Sequence, residues 1–300
     1  MIEVTNISKS FDDIKALDSV TATIQEGQVF GLIGTNGAGK STFLRTLCGV
    51  LKPEEGTVII DGESIYENEG LKQKLFYISD EQHFFKGSTP KEMRDFYANV
   101  YDNYNVQKFD ELLSKFSLDP NRKISTFSKG MKKQLSVILG ISAGVKYLLC
   151  DETFDGLDPV MRQAVKSLFA AEMEDNGMTP IIASHNLREL EDICDHVGLL
   201  HKGGILFSKD LDDLKCNTHK IQCVFSSEEA SKEFIEKMKP VQIDTRGSLF
   251  TMTINGSREE IEEALSASET VFAEVLPLSL EEIFISETEV NGYDIRNLIL

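Results

Sequence analysis

Residues 34–41 read Gly-Thr-Asn-Gly-Ala-Gly-Lys-Ser and fit the pattern G-x-x-x-x-G-K-[ST]. Glycines let successive backbone N–H groups turn inward and form a concave site for an anion. Lys40 then reaches the β- and γ-phosphates of a nucleotide, and the Ser41 hydroxyl takes a place on Mg²⁺. The predicted nucleotide contacts in this segment are Gly34, Thr35, Asn36, Gly37, Ala38, Gly39, Lys40, Ser41 and Thr42. This segment therefore predicts a site for a nucleoside triphosphate and magnesium.

The elements on either side of this loop suit that purpose. Residues 29–33 form a short apolar run with the character of a strand. After the loop, Phe43, Leu44 and Leu47 recur at the spacing of one helical face. A helix that starts at the loop points its unpaired N–H groups and positive dipole end at the phosphates. The alternative interpretation is a glycine turn that precedes a lysine by chance.

A second apolar run, residues 147–150, ends in two acids, Asp151 and Glu152. It predicts a buried strand whose end brings both carboxylates beside the phosphates. Asp151 suits a contact with Mg²⁺, direct or through water. Glu152 is placed to polarise an attacking water. Taken alone, the run is equally consistent with an ordinary strand end.

Two further segments flank these acids. Ser128 has the character of an N-cap, and Leu135, Ile138 and Leu139 follow at helical spacing. This predicts a second helix start able to meet an anion. The turn-rich residues 155–159 come after the acids, and a later apolar strand, residues 181–185, ends in a histidine.

In this order, the segments resemble the motifs of ATP-binding cassette (ABC) ATPases. The loop at 34–41 resembles the Walker A motif, and residues 127–134 resemble the signature sequence in a Ser-Lys-Gly-Met form. Asp151 resembles the end of Walker B, and Glu152 resembles the catalytic glutamate. Residues 156–158 resemble the D-loop, and His185 resembles the switch histidine. The resemblance covers residues 1 to about 215 and is closest to the ATP-binding subunits of bacterial single-cassette exporters. A lone P-loop kinase or GTPase explains the first motif but not the signature.

The resemblance implies roles for further residues. Phe11 stands where the family places a ring that stacks on adenine, although it also suits an apolar strand end. His185 would contact the γ-phosphate and orient the water. The signature of one copy completes the phosphate site of another, so Ser128, Gly130 and Asp158 are predicted to contact nucleotide across a dimer. The pairing is expected with an identical or a similar cassette subunit.

Two positions depart from the family pattern: Asp80, and Thr153, which follows Glu152 where proline is commoner. Asp80 stands where the Q-loop glutamine is usual. A carboxylate there is a candidate Mg²⁺ ligand, together with Ser41 and Asp151, but it also repels the γ-phosphate. Gln82 is an alternative carrier of the glutamine role.

Composition limits the classes of partner. The 300 residues carry a net charge of −18, with 25 basic and 33 acidic side chains in residues 1–220 and 6 and 16 in residues 221–300. This acidity argues against nucleic acid as a partner.

Five cysteines without metal-ligand spacing indicate thiols in a reducing cytosol. The first residues have no secretion signal, and no run approaches the roughly 20 apolar residues that cross a bilayer, so another chain is expected to supply any membrane part.

We expect an α/β fold in two domains. Residues 1–215 form the P-loop ABC ATPase domain, with a helical subdomain at about 80–145 that receives a membrane partner near Phe84 and Phe85. Residues 216–300 alternate between strand and helix patterns in the order βαββαβ, which predicts a small, acidic, ferredoxin-like α+β domain.

The expected function is that of an ATP-hydrolysing subunit. It dimerises around two ATP molecules with Mg²⁺ and powers a separate transmembrane permease, as an exporter, from the cytoplasmic face of the membrane. A soluble cassette ATPase of DNA repair, chromosome maintenance or translation is the alternative. Such proteins usually bring long coiled coils, zinc cysteines or two cassettes in one chain, and this sequence has none of these.

Overall fold

The computed structural model describes residues 1–276 and 278–290. The fold divides into two compact units, Met1–Ser208 and a second that begins at Lys209. The boundary predicted between residues 215 and 216 therefore falls inside a short helix of the second unit, Leu211–Asn217. Residue 277 and residues 291–300, at the end of the predicted C-terminal domain, lie outside the described residues.

The first unit contains an antiparallel sheet whose strands follow in the order β2-β1-β4-β5. These strands are β1 (Ile2–Phe11), β2 (Ile14–Ile24), β4 (Glu55–Ile60) and β5 (Glu63–Ser64). Buried and exposed side chains alternate along much of β1 and β2, as expected when one face of a sheet meets the core.

A second sheet has the order β10-β9-β3-β8-β7-β6, and its pairs from β9 to β6 are parallel. The strands are β3 (Phe30–Ile33), β6 (Leu75–Ile78), β7 (Tyr147–Asp151), β8 (Thr179–Ser184), β9 (His196–His201) and β10 (Gly204–Asp210). Every residue of β3, β7 and β8 is buried, which explains their continuous apolar character. Because neighbouring parallel strands end at the same edge, the segments after β3, β8, β7 and β6 are brought together there.

Helices connect and cover these strands. They are α1 (Lys40–Leu47), α2 (Glu69–Lys72), α3 (Pro90–Val100), α4 (Val106–Lys115), α5 (Lys129–Ser142), α6 (Pro159–Asn176) and α7 (Leu187–Glu191), with a 3-10 turn at Ile124–Thr126. Helices α3 to α5 occupy the region predicted as the helical subdomain. Thr89 begins α3 with a capping box to Glu92, and Asn105 and Ser128 cap α4 and α5. No helix among the described residues is both long and apolar enough to cross a membrane.

The second unit has its own core and its own sheet. Its elements are α8 (Leu211–Asn217), β11 (Thr218–Phe225), α9 (Glu228–Met238), β12 (Gln242–Arg246), β13 (Leu249–Asn255), α10 (Arg258–Ala267), β14 (Thr270–Leu276) and α11 (Leu280–Val290). From β11 to β14 the order is strand, helix, strand, strand, helix, strand, as the sequence pattern indicates. The strands form an antiparallel sheet in the order β12-β13-β11-β14. Ser257 and Glu260 form a capping box that opens α10.

Candidate nucleotide site

The loop between β3 and α1 passes so close to other backbone that two of its glycines have no room for a side chain. A Cβ on Gly34 would lie 2.6 Å from the carbonyl oxygen of Leu200, and one on Gly39 would lie 2.3 Å from that of Ala16. Gly39 also has φ of 107°, a conformation that side chains disfavour. It caps α1 without a side-chain hydrogen bond, so the first N–H groups of that helix face the loop. This is the geometry of an anion cradle.

Lys40 is the buried cation of this cradle. Its Nζ donates hydrogen bonds to the carbonyl oxygens of Gly34, at 2.7 Å, and Thr35, at 3.3 Å. The same atom lies 3.2 Å from Glu152 Oε1. The predicted phosphate lysine and the predicted base, far apart in the sequence, therefore form an ion pair at the ends of β3 and β7.

His185 joins the same cluster. Its Nδ1 lies 2.8 Å from Glu152 Oε2, so the two oxygens of this carboxylate face a lysine on one side and a histidine on the other. The imidazole is half-exposed, whereas the Glu152 side chain is largely buried. Lys40 and His185 therefore fix the orientation of the Glu152 carboxylate, which faces any group bound between the phosphate loop and solvent.

Asp151 is a buried carboxylate with one oxygen to spare. Tyr77 Oη donates to its Oδ2 at 2.8 Å, and Arg45 Nε donates to Tyr77 Oη at 3.4 Å. Oδ1 has no hydrogen-bond partner in the described part of the chain. Burial raises the pKa of Asp151, while the nearby hydroxyls of Ser41 and Tyr77 partly lower it. Sequence reasoning missed Tyr77 and Arg45, which stand in an ordinary strand and helix pattern.

This arrangement fits a magnesium ion. A buried carboxylate oxygen without a partner is unfavourable unless a donor or cation meets it. Asp151 and Ser41 offer the hard oxygen ligands that Mg²⁺ prefers, and Mg²⁺ in nucleotide sites typically uses few protein ligands besides phosphates and water. The third predicted ligand, Asp80, has a different contact in the structure. Its Oδ1 lies 3.4 Å from Lys133 Nζ, so its place on the metal stays a prediction.

The loop that carries Asp80 is closed by Gln82. The Gln82 amide nitrogen donates to the carbonyl oxygens of Ser79 and Asp80, each at 2.8 Å. The amide group considered as an alternative to the family glutamine is therefore engaged within its own loop. Sequence reasoning also missed Lys133, because nothing in the residues around it distinguishes it from its neighbour Lys132.

Of the residues predicted to act across a dimer, Ser128 and Asp158 are exposed and Gly130 is half-buried. Ser128 accepts a hydrogen bond from Met131 N at 3.2 Å and caps α5. Asp158 accepts from the N–H groups of Val160 and Met161 and caps α6. Gly130 lies in the first turn of α5. These contacts are local, so their nucleotide contacts remain predictions.

Phe11 is the last residue of strand β1 and is 44% exposed. Lys9 Nζ lies 5.7 Å from the ring centroid, which is within the range of a cation–π contact. An exposed aromatic face is what stacking on a base needs, and the adenine contact stays a prediction.

The chain is similar to proteins of one known family. The ABC transporter family model matches residues 17–155, which include the phosphate loop, the signature and both acids. The ABC transporter ATP-binding protein YtrB of Bacillus subtilis (strain 168) is 32% identical over 287 residues, covering 96% of this chain and 98% of YtrB. The chain belongs to the ATP-binding proteins of ABC transporters.

Other members of this family are similar over most of the first unit. The bacitracin transport ATP-binding protein BcrA of Bacillus licheniformis is 30% identical over 223 residues, covering 73% of each chain. A solved ATP-binding subunit of an ABC transporter superposes with a TM-score of 0.67 at 27% identity, covering 72% of this chain and 92% of that one. The chain is thus an ABC transporter ATPase with the α/β P-loop fold, and the family resemblance found in the sequence is confirmed.

Proposed function

We propose that this ABC transporter ATPase forms a dimer around two ATP molecules with Mg²⁺ and drives a separate transmembrane permease from the cytoplasmic face of the membrane. The observation that carries the proposal is the continuous contact from Lys40 through Glu152 to His185. It supplies a cation for the phosphates, a base, and a histidine beside the base that orients the attacking water. The partner in the dimer is a second copy or a similar cassette subunit.

Each residue has a distinct role in this proposal. Glu152 accepts the proton of the attacking water, and His185 orients that water and contacts the γ-phosphate. Lys40 binds the β- and γ-phosphates. Asp151, Ser41 and, by prediction, Asp80 hold Mg²⁺, which neutralises charge that develops on the phosphate oxygens. Phe11 stacks on adenine.

The exposed start of α5 supports dimerisation. A 14-residue helix presents N–H groups and a positive dipole end at Ser128, and Gly130 leaves room for close approach. A triphosphate held by the facing subunit supplies the matching anion. Since ATP binds the closed pair better than the open one, its binding shifts the population towards the closed pair. Hydrolysis then removes the bridge.

The permease is proposed to dock on the helical subdomain near Phe84 and Phe85. Phe85 and Phe96 are both exposed, and their rings pack edge to face with centroids 4.9 Å apart. Exposed paired aromatics are typical of protein interaction sites. The Ser-Lys-Gly-Met signature supports an exporter through the family resemblance, and the bacitracin transport named for BcrA supports a role in transport. The net charge of −18 argues against nucleic acid as a partner.

We propose that the second unit is a ferredoxin-like domain that supports or regulates the dimer. Its strand order, with β11 and β13 central, and its two helices are the supporting observations. The domain division is proposed near residue 215.

Removal of residues 217–300 tests this division. All predicted nucleotide contacts lie before residue 217 and the first unit has its own core, so we expect a folded truncation to bind ATP within about twofold of the full chain. Fluorescent nucleotide titration measures the affinity, and circular dichroism establishes that the truncation is folded. Loss of ATP affinity in a folded truncation contradicts the division.

Tyr77→Phe tests the metal role of Asp151. The phenol donates to Asp151 Oδ2 and limits how the carboxylate turns. Mutation of a residue that hydrogen-bonds a metal ligand typically lowers metal affinity or activity by 10–100-fold. We expect the Mg²⁺ concentration for half-maximal ATP hydrolysis to rise about tenfold. Tyr66→Phe, which alters an exposed phenol outside the site, serves as the control. An unchanged Mg²⁺ dependence in Tyr77→Phe argues against this metal site.

Affinity purification of the tagged full chain from detergent-solubilised cells tests the function as a whole. We expect a polytopic membrane protein to be recovered, and we expect Phe85→Ala to reduce its yield without changing ATP binding. Consistent recovery of ribosomes or DNA in place of a membrane protein supports a soluble cassette ATPase and contradicts the proposal.

A further inference from the structure

Lys133 is a lysine of helix α5 whose side chain is fully buried, with 0% of its surface exposed. Its Nζ donates to the main-chain carbonyl oxygen of Glu152 and lies 3.4 Å from Asp80 Oδ1. A buried ammonium group is unfavourable unless it is paired and hydrogen-bonded. Here, both partners belong to segments at the edge of the sheet where the nucleotide site lies. The roles assigned to the phosphate loop and the two acids do not use this lysine.

The contact matters because the backbone of Glu152 is in an unfavourable conformation. Its φ is 47°, in the left-handed region, which disfavours a residue with a side chain. Three hydrogen bonds hold it there. The Glu152 N–H donates to Ala183 O at 2.9 Å, and the carbonyl accepts from the Asp155 N–H, at 3.2 Å, and from Lys133. From this backbone conformation, the Glu152 carboxylate lies against Lys40 and His185.

Asp80 supplies the counter-charge. It follows β6, whose last residue Ile78 pairs with Cys150 of β7, so the loops after these neighbouring strands lie side by side. The Asp80 side chain is 47% exposed to solvent, whereas the Lys133 side chain is fully buried. Lys133 thus connects three segments: the loop after β6, the helix of the signature, and the end of β7.

We propose that Lys133 is a positioning residue for ATP hydrolysis. Its ammonium group holds the main chain of Glu152 in the left-handed conformation that aims the carboxylate, and Asp80 holds the ammonium group in place. The inference rests on the proposed role of Glu152 as the base. It goes beyond that role by making the orientation of the base depend on an ion pair between two other segments.

Lys133→Met tests the inference, because methionine is unbranched, of similar length and uncharged. We expect kcat to fall by about 10–100-fold, since a small misplacement of a catalytic group has effects of this size. At saturating Mg²⁺ the KM for ATP is expected to change by less than about threefold, because Lys133 touches none of the residues predicted to bind the nucleotide directly, and Asp80, which it does contact, is predicted only as a metal ligand. Lys133→Arg restores a cation and is expected to recover most of the lost kcat.

The control is Lys166→Met. Lys166 is also buried, and its Nζ also lies 3.4 Å from a carboxylate, that of Asp192. It makes no contact with Glu152 among the described residues, so we expect the parent kcat. A loss of kcat in Lys133→Met alone therefore reports the contact with Glu152 and not the removal of a buried charge.

A double-mutant cycle separates positioning from general structural damage. If Lys133 acts through Glu152, Lys133→Met changes the residual turnover of Glu152→Gln by less than about threefold. An equal loss of turnover in both backgrounds overturns the inference, as does a parent-like kcat in Lys133→Met. If Glu152→Gln itself keeps the parent rate, the proposed base is wrong, and the inference falls with it.

If Lys133→Met does not fold, the cycle is run with Asp80→Asn at saturating Mg²⁺, because Asp80 is also a predicted Mg²⁺ ligand. Its half-exposed side chain tolerates the change, and the loss of the counter-charge is expected to lower kcat by a smaller factor than Lys133→Met. This loss is also expected to vanish in the Glu152→Gln background. Losses that add fully in the double variant overturn the inference.

Discussion

Glu152→Gln is expected to lower the rate of ATP hydrolysis by about 10²–10⁴-fold while ATP binding is kept. The amide has the shape of the carboxylate, and its oxygen can still accept from Lys40, 3.2 Å from Oε1 in the parent. An amide does not accept the proton of a water molecule at neutral pH. The variant therefore keeps the site but lacks the base, and phosphate release under saturating ATP measures the loss.

The same variant is expected to accumulate a closed dimer. When hydrolysis no longer removes the nucleotide that bridges two subunits, ATP and Mg²⁺ shift the population to the pair, which light scattering on a sizing column detects. Adding Ser128→Arg places a bulky side chain at the exposed start of α5, and we expect it to abolish the dimer. Hydrolysis at the parent rate in Glu152→Gln shows that Glu152 is not the base.

The parts of the site that the sequence predicts are those in which local pattern and chemistry coincide. The phosphate loop is contiguous, and its glycines, lysine and following helix are recognisable without tertiary information. Asp151 and Glu152 end a continuous apolar run, which indicates a buried strand and hence the edge at which parallel strands end. The meeting of Lys40, Glu152 and His185 follows from that single rule.

The rest of the site depends on contacts between distant segments. Lys133 and Asp80 meet only because β6 lies beside β7 and α5 packs near both loops. Tyr77 reaches Asp151 across the same strand pair, although its own strand shows only an apolar pattern. No spacing along the chain encodes these pairs. The pair of Lys133 and Asp80 also includes a position at which the chain departs from the family pattern, Asp80.

In the second unit, local sequence patterns predict the order of the helices and strands. Strands β11 and β13 alternate between apolar and polar residues and the helices carry capping signals, so the element order from residue 218 to 276 is readable from the sequence. The boundary is less readable, because α8 begins at Leu211 with an acidic cap and no composition shift. Element order does not indicate what the unit binds, since fold alone does not determine function.

Lys40→Ala is expected to weaken ATP binding by about 10²-fold or more, because hydrogen bonds to charged groups contribute about 1.5–3 kcal/mol each and this lysine is placed to contact two phosphates. The effect is larger than the loss of one cation suggests. Without Lys40, Glu152 loses the cation 3.2 Å from its carboxylate, and Asp151 and Glu152 both face the phosphates uncompensated.

Titration with a fluorescent ATP analogue measures this loss, and a melting curve shows whether the loop survives without the Lys40 bonds to Gly34 and Thr35. Lys166→Ala removes another buried lysine and should bind ATP like the parent. The contrast with Glu152→Gln is decisive: one variant loses binding and the other loses turnover. Full affinity in a folded Lys40→Ala variant would place the phosphates elsewhere, and the ion pair with Glu152 would then be only structural.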